Sequence, residues 1–245
     1  MGSVSIRRSI RWLPASAGET TATLVLTSPQ RRFVDLRIVK PVAGLGAPLG
    51  DDDADELPLS RLDWAIAGTS SSSAVRTDGR GRQFTRSQWR HWIDSTTADA
   101  AGVVDEGDMF AQADGSTLET GSMVNPATGR VAPYEEVWDD DEAPTPPTAT
   151  GRGVNCVVLD LDDGARRGRV VRLGRHCQGF VRAGEAIALE RWEWAPGAGW
   201  RRTVRMGGLA MPCREVLRDD GRGLEVGDAA GTGHAGWKVV EVASI

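Results

Sequence analysis

The sequence predicts an all-β fold, an antiparallel sandwich or barrel with little helix. Short apolar runs with strand-like alternation recur about every 8–12 residues, which is the spacing typical of such folds. Glycine accounts for 30 of the 245 residues without a repeating period, and this indicates many tight turns. No segment of about 12 residues sustains the apolar stripe of an amphipathic helix. Strands alternating with crossover helices are not seen either, so a parallel α/β fold is not expected.

Each predicted strand is an apolar or β-branched run that ends at glycine, proline or a polar turn. The first half contains the runs Thr21–Thr27, Arg32–Lys40, Leu62–Thr69, Val103–Phe110 and Thr117–Val124. The second half contains Val154–Leu161, Val170–Leu173, Gln178–Arg182, Ala186–Trp194, Trp200–Met206, Met211–Leu217 and Trp237–Val242. The run Val154–Leu161 ends at Asp162-Asp163-Gly164, a hairpin signal. One short helical turn is predicted at Pro133–Trp138, where a proline is followed by acids.

The clearest domain boundary is Asp139–Gly151, where four consecutive acidic residues are followed by three prolines. Like charges repel and prolines do not build a packed element, so this segment is predicted to be an exposed linker. The expected organisation is an amino-terminal β-barrel unit at 1–138, the linker at 139–151 and a carboxy-terminal unit at 152–245. Val42–Pro58 and Thr69–Gly81 are predicted to be exposed loops.

Charge and composition exclude several classes of function. The formal charge is −5, with −8 in residues 1–150 (14 basic, 22 acidic) and +3 in residues 151–245 (15 basic, 12 acidic). This is far from a nucleic-acid-binding footprint. No apolar run approaches about 18 residues, so no membrane insertion is expected, and the amino terminus has no apolar signal region. Three cysteines without a C-x-x-C motif favour a reducing, intracellular compartment.

No familiar catalytic, metal-binding or cofactor-binding motif is present. The glycines of Gly44–Gly50 match neither nucleotide fingerprint, and the aspartates that follow would repel a phosphate. The chain has no G-x-S-x-G nucleophile elbow. The three histidines are far apart, and the adjacent pair His176-Cys177 would point to opposite faces of a strand. We therefore expect no metal and no cofactor.

The aromatic composition is the informative feature, with nine tryptophans against four phenylalanines and one tyrosine. Tryptophans bury large areas in a core, and inside a barrel they also form the walls of ligand pockets. Two charges lie among strand-like residues, Glu119 before Thr120-Gly121 and Arg175 after Gly174. Facing an apolar interior, each would need a partner; pointing outward, each would be solvated.

Five segments are similar, in order, to motifs of one known family. They are Leu62–Thr69, Trp92–Ser95, Leu118–Gly121 followed by Tyr134–Trp138, Leu173–Phe180 and Gly236–Glu241. The chain thereby resembles the fungal Hri protein family. The resemblance implies two tandem lipocalin-like β-barrels, a location in the cytoplasm and nucleus, and a casein-kinase-I-type kinase as partner. It supplies no catalytic residues, and His176 departs from the family by standing in place of an aromatic residue.

The function predicted on this basis is a non-enzymatic adaptor, or a protein that binds a small apolar ligand. The alternatives are a lipocalin-like cyclase or isomerase acting in an apolar barrel cavity, and a purely structural interaction module. A cavity of roughly several hundred Å3 lined by tryptophan and one or two charges would favour binding or catalysis, whereas a filled barrel would favour the module. The predicted pocket residues are Trp64, Trp92, Glu119, Trp138 and Arg175.

Overall fold

The structure is a computed structural model, which describes residues 2–41, 56–141, 156–221, 223–231 and 233–244. The strands of the first half are β1 (Ser3–Trp12), β2 (Thr21–Thr27), β3 (Arg32–Val39), β4 (Leu62–Ser72), β5 (Arg76–Thr77), β6 (Gln83–Asp94), β7 (Val104–Ala111), β8 (Thr117–Asn125) and β9 (Arg130–Asp141). The second half contains β10 (Cys156–Asp162), β11 (Arg166–Leu173), β12 (His176–Ala183), β13 (Ala186–Ala195), β14 (Gly199–Met206), the helix α1 (Cys213–Leu217) and β15 (Trp237–Ala243). Short 3-10 turns lie at Leu59–Arg61 and Arg218–Gly221.

Eight strands of the first half close into an antiparallel barrel. They follow the order β4-β3-β2-β1-β9-β8-β7-β6, and pairing of β4 with β6 closes the ring. At this closure a Cβ on Gly68 would stand 1.9 Å from the carbonyl oxygen of Arg90, so only glycine fits there. The register also shifts between Ala67 and Gly68, a bulge of the kind that lets a sheet bend. The predicted all-β, antiparallel fold class with a barrel and little helix is confirmed.

The second half forms a six-stranded antiparallel sheet in the order β14-β13-β12-β11-β10-β15. The β10–β11 connection contains the predicted hairpin glycine, and Gly164 adopts a φ of 82°, which favours glycine. The resemblance implied a second barrel in this half. Among the described residues β14 and β15 each pair with one neighbouring strand, so this unit is an open sheet.

The main core lies between the outer face of the barrel and the second sheet. Alternate residues of β3 (Val34, Leu36 and Ile38) point out of the barrel into this core. The second sheet meets them with Val158, Val171, Leu173, Phe180 and Leu189. Because side chains alternate along a strand, the intervening β3 residues Phe33, Asp35 and Arg37 face the barrel interior.

A second apolar cluster fills the far face of the open sheet. The sheet contributes Val157, Leu159 and Trp192, and α1 covers them with Val216 and Leu217. The pocket on this side holds only about 50 Å3. The second unit is therefore packed with side chains where it faces α1.

Buried polar side chains fasten the second sheet to the barrel backbone. Gln178 on β12 donates from Nε2 to the carbonyl oxygens of Leu24 and Val34, at 2.9 and 3.1 Å. Arg191 on β13 donates to the carbonyl oxygen of Leu36 at 2.8 Å and to Gln178 Oε1 at 2.8 Å. A shift of one sheet on the other would leave these buried groups unpaired, so the bonds specify one docking arrangement.

Two local predictions are wrong in element type. Pro133–Trp138, predicted as a helical turn, lies within β9, where Tyr134, Glu136 and Trp138 alternate into the interior. Met211–Leu217, predicted as a strand, contains α1 instead. Both segments are too short for the apolar period to separate helix from strand.

Other predictions missed a strand or placed the boundary of an element differently. The strands β1 and β6 were not foreseen, because charged and polar residues interrupt their apolar alternation. The predicted loop Thr69–Gly81 begins later than expected, since β4 runs to Ser72, and it contains the two-residue strand β5. The predicted linker starts within β9, which runs to Asp141; its residues 142–151 lie outside the described part, as does most of Val42–Pro58. The division at 138 and 152 stays a prediction.

Candidate functional site

A cavity of about 740 Å3 occupies the barrel interior, and all eight barrel strands line it. Its aromatic residues are Phe33, Trp89, Tyr134 and Trp138. Its acidic residues are Asp35, Asp105, Glu106, Asp108, Glu119, Glu135 and Glu136, and its basic residues are Arg31, Arg37 and Arg86. The lining therefore carries more charge than the one or two charged residues beside tryptophan that the sequence predicted: it combines aromatic walls with an excess of carboxylates.

Glu119 on β8 faces this cavity and is 5% exposed. Its Oε1 lies 2.7 Å from the hydroxyl of Tyr134, and its Oε2 accepts a hydrogen bond from Trp138 Nε1 at 3.0 Å. Glu136 stands directly across the β8–β9 ladder. Burial, and then the charge of Glu136, raises the pKa of Glu119 to about 8. At neutral pH the Glu119 carboxyl is therefore mostly protonated.

Two glycines inside the barrel make room for this arrangement. A Cβ on Gly107 of β7 would come within 2.8 Å of the Glu119 side chain. A Cβ on Gly121 of β8 would come within 2.6 Å of the Tyr134 hydroxyl. Both positions belong to extended strands, so the glycines serve close approach of side chains rather than an unusual backbone.

Two arginines and several carboxylates form a buried network beside Glu119. Arg7 on β1 pairs with Glu136 at 2.6 Å and with Glu19 at 2.7 Å. Arg37 on β3 pairs with Asp35 at 2.9 Å and lies 3.7 Å from Glu136. Burial acts to lower the pKa of each arginine, but the carboxylates outweigh it and raise both. These arginines are held charged and paired.

Asp35 is a cavity acid of this network, and one of its carboxyl oxygens is buried without a partner among the described residues. Its Oδ2 binds Arg37, but its buried Oδ1 has no hydrogen-bond partner among the residues that the structure describes. Asp35 is 4% exposed and lines the cavity. Buried acceptors are normally satisfied, so this oxygen is an unmet acceptor in the wall of the cavity.

One wall of the barrel carries a histidine between two acids. His91 lies 2.8 Å from Asp94 and 3.1 Å from Asp105, and Trp64 donates to Asp94 at 2.9 Å. Burial acts to lower the pKa of His91, but its hydrogen bonds to Asp105 and Asp94 outweigh burial and raise it to about 9. Burial would raise the pKa of Asp94, yet hydrogen bonds, that from His91 first, lower it to about 2. His91 is therefore charged and paired with Asp94 and Asp105, and these contacts support the barrel wall.

The structure brings some of the predicted pocket residues together and separates others. Glu119 and Trp138 meet in the cavity lining. Trp64 stacks with the guanidinium of Arg37 at 5.0 Å and is not part of the lining. Trp92 packs against the core between the sheets. Arg175 lies in the β11–β12 turn, with a side chain that is 39% exposed and paired with Asp141.

Most residues of the lining were not foreseen from the sequence as site residues, among them those nearest to Glu119: Asp35, Arg37, Tyr134 and Glu136. One signal was available for the first two. They sit two apart within the apolar run Arg32–Lys40, and two charges at strand spacing on one face of such a run indicate an inward polar face. The cross-strand pairing of Glu119 with Glu136 depends on register, which the sequence does not show.

Three further observations concern the part of the chain that the structure describes. It contains no group of three His, Cys, Asp or Glu side chains placed to hold a metal ion. None of its helices has the length and apolar character needed to cross a membrane. Its three cysteines are buried and free.

Comparison with known proteins places the chain in one family. The family model described as Protein HRI1 matches residues 3–241. The chain is also similar to a solved structure, an uncharacterized protein of Saccharomyces cerevisiae, YLR301w, with 18% identity, 99% of each chain covered and a TM-score of 0.71. At this identity the likeness shows the fold alone. Comparison with the curated proteins gives no match. Since the family model spans nearly the whole chain, the chain belongs to the HRI1 protein family.

Proposed function

We propose that this protein binds a small organic ligand inside its eight-stranded barrel. The observation that carries the proposal is the cavity of about 740 Å3, which falls within the usual range of ligand pockets. A barrel made only for packing would be filled by side chains, as the second unit is on its α1 side.

The lining supports binding because it is built from buried, oriented groups. Glu119 is fixed by Tyr134 and Trp138, and the arginines are fixed by carboxylates. Gly107 and Gly121 leave room for the side chains of Glu119 and Tyr134. Fixed polar groups beside aromatic walls orient a ligand at little entropic cost.

A matched pair of variants on β4 tests the proposal. Ser70 lines the cavity, whereas its neighbour Ser71 is exposed and outside the lining. Ser70→Trp should fill part of the cavity, and Ser71→Trp should leave it open, because adjacent strand residues face opposite sides. Native mass spectrometry of the full chain purified from its own source should detect a co-purifying small molecule in the parent and in Ser71→Trp, and lose it in Ser70→Trp.

A ligand retained in Ser70→Trp would place binding elsewhere and overturn the proposal. So would the absence of any co-purified molecule together with no binding from a small-molecule library. Turnover of the identified ligand by the purified chain would instead favour the cyclase or isomerase alternative. In that case Glu119, which keeps its proton at neutral pH, is the residue we would assign as the acid.

The adaptor role with a casein-kinase-I-type kinase stays a prediction from the family resemblance. Its test is direct: binding of the purified kinase to the full chain, compared in the presence and absence of the cavity-filling Ser70→Trp substitution. The expected cytoplasmic and nuclear location also stays a prediction, which imaging of the tagged full chain would check.

A further inference from the structure

We infer that the ligand of the barrel is a small organic cation, an ammonium group on an apolar or aromatic body, anchored by the carboxyl groups of Asp35 and Glu119. This inference rests on the proposed function and narrows its ligand to one chemical class. Four features of the cavity support it.

The first feature is the unsatisfied oxygen of Asp35. Arg37 occupies Oδ2, and Oδ1 is buried without a hydrogen-bond partner among the described residues. An ionised carboxylate accepts hydrogen bonds and donates none. A ligand group that satisfies Oδ1 must therefore bring an N–H or an O–H.

The second feature is the charge of the deep network. Its guanidiniums belong to Arg7 and Arg37. Its carboxyl groups belong to Asp35, Glu19, Glu119 and Glu136. When Glu119 is protonated, three carboxylates remain against two guanidiniums. The network then carries one net negative charge, which would repel an anionic ligand. A cation would neutralise it.

The other two arginines of the lining do not reverse this sign. Arg86 is paired with Glu106 at 2.8 Å and with Asp108 at 3.2 Å, so two carboxylates match its charge. Arg31 is exposed, and its charge is therefore screened by solvent.

The third feature is the aromatic wall. Phe33, Trp89, Tyr134 and Trp138 come from three different strands and line the same cavity. Aromatic faces attract ammonium groups and pack against apolar ligand bodies, and tryptophan does so most strongly.

The fourth feature is the proton on Glu119. The titratable or charged groups facing it are Glu136 and Tyr134 on β9 and Arg37 on β3, while Gly107 on β7 carries no charge. Its pKa of about 8 means that it holds a proton at pH 7. An ammonium group placed beside it favours the ionised form, so the carboxyl releases that proton to solvent as the cation binds.

Titration calorimetry on the full chain at pH 7 tests the inference with three matched probes: phenylpropylamine, phenylpropanol and phenylpropanoate. A second set carries a larger naphthyl body. The amines should bind at least about tenfold more tightly than the alcohols, and the carboxylates should bind weakest. Repeating the titration in buffers of different ionisation enthalpy should show proton release, up to about one per amine bound.

Two isosteric variants assign the anchors. Glu119→Gln should weaken amine binding by about tenfold or more and remove the proton release. Asp35→Asn should weaken amine binding and keep the proton release. The control Glu185→Gln, whose side chain is 96% exposed, should bind like the parent. Thermal melts confirm that each variant is folded, and Asp35→Asn carries the test if Glu119→Gln does not fold.

The outcomes separate this inference from the function on which it rests. If an alcohol or a carboxylate binds as tightly as its matched amine, ligand binding stands and the cation assignment fails. The assignment fails equally if amine affinity is unchanged in both variants, or if a co-purified ligand is neutral or anionic. If no probe binds at millimolar concentration and nothing co-purifies, both the inference and the proposed function fail.

Discussion

Glu119 and Glu136 stand directly opposite each other on β8 and β9, with both side chains turned into the barrel. Two carboxylates so placed cannot both ionise cheaply, and burial adds to the cost. Arg7 and Arg37 stabilise the charge of Glu136, while Glu119 receives only a phenol and an indole N–H within hydrogen-bond distance. The proton consequently stays on Glu119, and this asymmetry makes the folded state sensitive to pH.

We predict that Glu119→Gln makes the free energy of unfolding depend less on pH. Below the usual pKa of 4.5 the Glu119 carboxyl is protonated in both folded and unfolded states. As the pH rises from there toward about 8, the Glu119 carboxyl ionises in the unfolded state but keeps its proton in the folded state. The free energy of unfolding therefore falls. The fall is about 1.4 kcal/mol per pH unit within this window. Glutamine has no proton to lose, so this part of the slope disappears.

The measurement is urea unfolding of both proteins between pH 5 and pH 9. His91 also contributes: its raised pKa stabilises the fold below the usual 6.5, and that stability is lost as the pH rises through about 9. Because His91 is present in both proteins, its effect cancels in the difference between them. A difference that stays constant across the pH range would show that Glu119 titrates normally in the folded protein.

At the level of single residues the sequence indicated part of the cavity. Glu119 and Trp138 were predicted as pocket residues because a charge and an aromatic residue stand in strand-like segments, and they do meet. Arg175 was predicted as a pocket residue for the same reason as Glu119, a charge among strand-like residues, yet it lies in a turn. Only the register of β8 on β9 and the end points of β11 and β12 distinguish the two cases, and sequence alternation fixes neither.

Among the secondary-structure elements, the strands β2, β3 and β4 have two roles at once. Their inward residues line the cavity, and their outward residues form the core with the second sheet. The β2–β3 turn is held as well: Glu241 on β15 accepts from the hydroxyl of Ser28 at 2.6 Å and the backbone N–H of Gln30 at 2.9 Å. The second sheet thus supports the barrel wall that carries Asp35 and Arg37.

We predict that Glu241→Ala destabilises the protein by about 2–4 kcal/mol, because it leaves buried donors without an acceptor. Glu241 is 0% exposed and also pairs with Arg32 at 3.1 Å. Arg32 is 25% exposed and can turn to water, which keeps the loss below that of a fully buried pair. The free energy of unfolding in urea measures the effect, with the exposed Glu185→Ala as control. Equal stability of the two variants would mean that the Glu241 contacts do not hold the turn.

The elements themselves were largely predictable, since alternation and glycine punctuation located most strands. The segments that resemble the family occupy two separate places in the folded chain. Ala65 and Ala67 of one segment and Phe180 of another meet in the core between the sheets, while Glu119 and Tyr134 meet in the cavity. Packing of one sheet on another joins residues that lie far apart in sequence, and no local pattern announces it.

For the whole molecule, the two halves share the main core, although the second half also has an apolar cluster of its own beneath α1. Leu24, Leu36 and Ala67 of the barrel pack in the same cluster as Val171 and Phe180 of the second sheet. The sequence suggested two separable units because an acidic, proline-rich segment lies between them. That pattern describes a connection between units and carries no information about what the units bury against each other.

We predict that the chain unfolds in a single cooperative transition, and that a fragment ending at Asp141 does not fold stably alone. Such a fragment would expose Leu24, Val34 and Leu36 on its outer face, and the carbonyl oxygens of all three would lose their bonds to Gln178 and Arg191. Exposed apolar patches of this kind favour aggregation or a loosely packed state.

Calorimetry of the full chain should accordingly give equal calorimetric and van't Hoff enthalpies, the mark of a two-state transition. The isolated fragment should bind a hydrophobic dye and lack a sharp melt. Co-expression with the remaining carboxy-terminal piece should restore both the melt and amine binding, because the missing face is then supplied by a partner. A fragment that melts sharply and binds amines by itself would show that the barrel is an independent domain. In that case the barrel would need the second sheet neither for its stability nor for the shape of its cavity.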